Sequence, residues 1–174
     1  MKLAIAAAIL AFPALAQQNQ PASDLSVHSE KIPGITVRFV DWHWRPELFA
    51  EMEKGGGKTP EAKRNWALLR LINDDKITFE GKAVGASNYA LALWPNLDGK
   101  GMMFELRRVD MRDVLQPNAW APIPAGDTMW KGPATFETVP ETADRFVVSI
   151  AEAGGKGSIT IHYGNRRAVL SFTR

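Results

Sequence analysis

The sequence predicts a mainly β protein: an antiparallel β-sandwich or barrel-like domain of short strands, with a helical insertion near residues 46–72. Three observations point there. Apolar and polar residues alternate with period two in several short runs, the pattern of strands with one wet face. Gly, Asn and Asp stand in the gaps between those runs, as tight turns require. Only near residues 46–72 does the apolar spacing lengthen to the three and four of a helix.

Taken in order, Lys2 and the unbroken apolar run Leu3 to Phe12, followed by Pro13 and Ala14-Leu15-Ala16, have the layout of a cleaved signal peptide over residues 1–16. The apolar run is about half of the ~20 residues a spanning helix needs, which argues against an anchor. Residues 17–24 read as a polar linker, and residues 25–174 as a single β-rich domain. Ile35 to Phe39 alternates as a strand. Pro46 to Lys54 has the length of a short helix ending at Gly55-Gly56-Gly57. Thr59 can cap a second helix with Pro60 at its first position, placing Ala62, Trp66, Leu69 and Ile72 on one face. Ile77 to Glu80, Tyr89 to Trp94 and Met102 to Arg107 follow as strands. Residues 111–143, with Pro117, Pro122, Pro124, Pro133 and Pro140, read as a long irregular connection. Arg145 to Ile150 and Ser158 to Tyr163 alternate again. Tyr163-Gly164-Asn165-Arg166 is a hairpin signal, because Gly and Asn tolerate positive φ, and Arg167 to Phe172 is the partner strand.

The order Lys76-Ile77-Thr78-Phe79, Glu80-Gly81-Lys82, Gly85-Ala86-Ser87-Asn88-Tyr89-Ala90-Leu91 resembles the centre of bacterial domain of unknown function family 2911. Arg45-Pro46, Phe146 to Ile150 and His162-Tyr163-Gly164-Asn165 match further short motifs of that family in the same order. The chain departs from the family at Trp66 and Asn73, which stand alone for a longer conserved segment, and at Val84, where the family has proline. The resemblance implies an exported β-rich domain and no particular chemistry.

Composition narrows the classes. The chain is 45% hydrophobic and 23% charged, as globular proteins are. Its 21 Lys and Arg against 19 Asp and Glu leave a net charge of +2, too even a balance for a nucleic-acid partner. No cysteine is present, so neither a disulfide nor a lipidated cysteine is available. Export by a signal peptide makes the expected location periplasmic or secreted, with no transmembrane segment after cleavage.

Candidate chemistry is sparse. Gly55 to Thr59 imitates the end of a phosphate-binding loop, but Met52 stands where its first glycine belongs, so a linker is the better reading. His28, His43 and His162 lack any local metal-ligand spacing, and Asn73-Asp74-Asp75 reads as a turn rather than a calcium loop. No catalytic set, metal site or cofactor motif is assigned. The tentative ligand-binding residues are Trp42, Trp44, Trp120 and Trp130. Two residues apart, Trp42 and Trp44 point the same way on an extended segment. If the strand from Ile35 runs on regularly, they form an outer aromatic platform; a bulge there would bury them. The expected function is a non-catalytic binding or structural module of the envelope with a glycan or protein partner. The alternative is an envelope hydrolase, which would require a pocket gathering His43 or His162 with acids distant in sequence.

Overall fold

The computed structural model describes residues 24–55, 65–96, 101–110 and 126–174. They form β1 (Val27–Ile32), β2 (Ile35–Val40), α1 (Pro46–Glu53), β3 (Trp66–Asn73), β4 (Ile77–Phe79), β5 (Lys82–Val84), β6 (Ser87–Pro95), β7 (Met102–Arg108), β8 (Thr128–Pro133), β9 (Glu137–Ala153) and β10 (Lys156–Thr173). One antiparallel sheet has the order β1-β2-β3-β6-β7-β8, the other β5-β4-β10-β9. The two pack as a sandwich. Val37, Leu69, Leu71, Leu91, Phe104 and Leu106 of the first sheet meet Phe79, Phe146, Val148, Ile159, Ile161 and Leu170 of the second in one apolar core. No helix among the described residues is long and apolar enough to cross a membrane.

β10 folds back on itself. An extended run of 18 residues would hold its ends roughly 55 Å apart, yet Arg174 N–H donates to Gly155 O at 2.9 Å. The Phe172 ring lies on Gly157, where a Cβ would collide with it. Both pairings are centred on Gly164-Asn165, and Gly164 has φ +62°. The buried alternation changes phase there, from Ile159 and Ile161 to Ala168, Leu170 and Phe172. The hairpin expected at Tyr163 to Arg166 is therefore present. β9 arches around its tip, pairing Glu137 and Thr138 with Arg167 and Arg166, and then Val147 to Ala153 with His162 to Lys156. Pro140 falls where this register shifts, so its missing N–H breaks no ladder.

The strand starting at Ile35 does not run on. Trp42 N–H donates to Val40 O at 3.1 Å, a tight turn centred on Asp41. The chain then crosses to the second sheet. Phe146 N–H donates to Trp42 O at 2.7 Å, Trp44 N–H to Asp144 O at 2.8 Å, and His43 bridges to Arg145. α1 follows with Pro46 in its first turn, and Gly55 at φ +85° ends it, its N–H donating to Met52 O. Phe49 and Met52, three residues apart, are the buried face of α1.

Two expectations are corrected. Residues 66–73 are a strand, so among the described residues the helical insertion is α1 alone; residues 56–64, with Thr59 and Pro60, lie outside the described residues. The helical spacing has a cause in the sheet. Trp66 pairs with Leu93 and Leu69 with Leu91, leaving Leu68 as an extra residue in β3. This bulge puts Trp66 and Leu69, three apart, on the same inner face. The irregular connection over 111–143 is also too long. β8 and the start of β9 lie within it as strands, with Pro133 at the end of β8.

Candidate functional site

At the end of the sandwich where the β10 hairpin turns, the sheets part and α1 lies across the gap. The space left is a cavity of about 400 Å³, within the ~300–1,000 Å³ of small-molecule sites. Its wall is apolar: Trp42, Phe49, Trp66, Leu68, Leu93, Phe136 and Phe146 line it, with Met52 and Leu48 from α1. The aromatic rings hold one another in place. Trp42 meets Trp66 edge-on at 5.7 Å and Phe146 at 5.1 Å, and Phe49 meets Phe136 at 5.1 Å. Trp42 is 7% exposed, and its buried Nε1 has no hydrogen-bond partner among the described residues.

Polar groups enter the lining from Asp24, His43, Arg45 and Tyr163. His43 Nε2 lies 2.9 Å from Asp24 Oδ1, while Arg145 pairs with Asp24 Oδ2 and, at 3.3 Å, with Asp41 Oδ2. His28 Nε2 reaches Asp41 Oδ2 at 3.3 Å, and Ser26 N–H donates to Asp41 Oδ1. The hydrogen bonds from His43 and then Arg145 hold the Asp24 carboxyl below the usual range. Burial pushes Asp41 up, but the Ser26 N–H, His28 and Arg145 outweigh it, and its carboxyl too is lowered. Tyr163 donates its hydroxyl to His43 O at 2.5 Å, and burial pushes it up to about 12 against the opposing effect of the Arg45 N–H and charge. Arg45 is exposed, and its guanidinium pairs with no carboxylate among the described residues.

The tentative site residues separate. Trp42 lines the cavity as a buried wall, because the turn at Asp41 swings it inward. Trp44 is half-buried beside the cavity, edge-on to Tyr163 at 4.7 Å, so the two indoles form no outer platform. Trp130 is not among the lining residues; it packs on Phe79 at 5.6 Å and joins β8 to the second sheet. Trp120 lies outside the described residues. Sequence reasoning did not single out Asp24, Arg45, Phe49, Phe146 or Tyr163 as neighbours. Among the described lining residues none is Ser, Thr or Cys. No group of three potential metal ligands occurs among the described residues.

Compared with family models, with curated proteins and with solved structures, the chain matches none. The resemblance to family 2911 thus rests on the short motifs quoted for it.

Proposed function

We propose that this chain is a non-catalytic binding module of the cell envelope, exported under its N-terminal apolar segment. It takes the apolar part of a small amphipathic ligand into the cavity between α1 and the β10 hairpin. The carrying observation is the cavity itself: a concave apolar wall with polar groups from only a few residues. A glycan stacked on Trp42 and Trp44 is disfavoured, since Trp42 is packed on both Trp66 and Phe146. A purely structural role leaves the cavity without a purpose.

The test is a titration of the protein with the neutral apolar dye Nile red, following dye emission and protein melting together. Binding with a raised melting point, abolished in Leu48→Trp, supports the reading. Leu48 is half-buried on α1, so the larger ring fills the cavity without invading the core. No binding, or equal binding by the filled variant, overturns it.

One observation favours a second reading. His43 and Asp24, 19 positions apart, meet in a concave pocket, as an envelope hydrolase would require of its general base and orienting carboxylate. On that reading His43→Gln abolishes turnover of short-chain aryl esters. Binding is preferred because Asp24 is also held by Arg145, and because the described lining residues bring no serine, threonine or cysteine.

A further inference from the structure

Resting on the binding reading above, we infer that the ligand of this cavity is an amphiphile with a carboxylate head, held by Arg45. Acceptors beside the cavity already have donors: Asp24 Oδ1 has His43, Asp24 Oδ2 has Arg145, and His43 O has the Tyr163 hydroxyl. What remains is a donor. Arg45 lines the cavity, is exposed, and pairs with no carboxylate among the described residues. A ligand that brings a negatively charged acceptor gains a charge-assisted hydrogen bond there, where one that brings a donor does not.

The remaining charge arrangement favours a single negative charge. Asp24 and Asp41 share Arg145, so the carboxylates near the site are already engaged, and no lysine is among the described lining residues. A guanidinium presents paired N–H groups that match one carboxylate. An ammonium head would compete with Arg145 for Asp24 and leave Arg45 unmet. A doubly charged phosphate head would face Asp24 with only Arg45 to balance it.

The experiment compares decanoate, decanol, decylamine and decyl phosphate by calorimetric titration, each below its micelle concentration, against wild type and Arg45→Gln. Decanoate is expected to bind wild type about tenfold or more tighter than decanol, as a charge-assisted hydrogen bond implies. Arg45→Gln is expected to erase that preference. Arg45 makes no side-chain cap to α1, so its replacement leaves the helix in place. Equal affinity for decanoate and decanol, or a preference that survives in Arg45→Gln, overturns the inference and leaves the cavity reading standing. Tighter binding of decylamine or decyl phosphate than of decanoate overturns it as well. Failure of all four to bind wild type overturns both.

Discussion

The indole of Trp44 lies against the backbone of Gly164, so close that a Cβ at that position would overlap the ring. Gly164 also holds φ +62° at the hairpin tip, a conformation side chains resist. Gly164→Ala is therefore expected to destabilise the protein by about 1–3 kcal/mol, from strain and overlap together. Adding Trp44→Ala should recover the overlap share and leave the backbone share. Chemical denaturation of both single variants and the double variant measures the coupling; additive losses would show that ring and glycine do not touch in solution.

Tyr163 gives an alkaline signature. Its native value near 12 exceeds the ~10 of an unfolded tyrosine, so its share of stability is complete below pH 10. As pH rises past 10 the unfolded chain loses that proton first, and stability falls until the native value is passed. Spectrophotometric titration should show one of the two tyrosines ionising near 12, absent in Tyr163→Phe. The melting temperature of Tyr163→Phe should fall less steeply between pH 10 and 12 than that of wild type.

Asp41 acts at the opposite end of the scale. Its native value is lowered, so its contribution is present above the unfolded value near 3.9 and lost as pH falls through the native one. Asp41→Asn should lower stability at neutral pH and flatten its decline below about pH 4. A wild-type decline unchanged by the substitution would place the acid sensitivity elsewhere.

Glu105 in β7 is a structural carboxylate. Its side chain is 1% exposed, and Oε1 accepts from Thr128, from Arg107 at 3.0 Å and lies 3.6 Å from Lys131. Glu105→Ala removes the shared partner of both cations and should cost about 3 kcal/mol, the range for breaking a buried pair. Glu105→Gln keeps an acceptor for Thr128 and should cost less. Urea denaturation at neutral pH ranks the two; equal costs would mean the charge contributes nothing.

Part of the sandwich is legible in the sequence because some strands keep one wetter face, as Ile35 to Phe39 does in β2. Tyr89 to Trp94 and Met102 to Arg107 fall in β6 and β7 and are largely buried, so short apolar runs between turn residues mark them instead. Local chemistry also marks the short helix, from Pro46 to Gly55, and the hairpin at Gly164. What misleads is one extra residue. The bulge at Leu68 converts a period of two into an apparent period of three, and β3 reads as helix. The cavity is harder still. Its lining comes from separate stretches, such as Asp24, Trp42, Trp66, Leu93, Phe136 and Tyr163, whose meeting depends on the turn at Asp41 and on the arch of β9. Neither leaves a periodic trace. Trp42 was singled out for its residue type, and the structure changes how it can serve: as a wall rather than a platform.

The crossing of residues 42–44 from one sheet to the other also orders the folding reaction. The β10 hairpin closes over a two-residue tip and can form within microseconds of collapse. The bond from Arg145 to Asp41 spans 104 positions, and the Tyr163 bond to His43 O spans 120. Such distant closures carry the larger entropic cost and come after the local ones. Closing the cavity therefore depends on contacts between distant parts of the chain, whereas the hairpin at its edge needs only local ones.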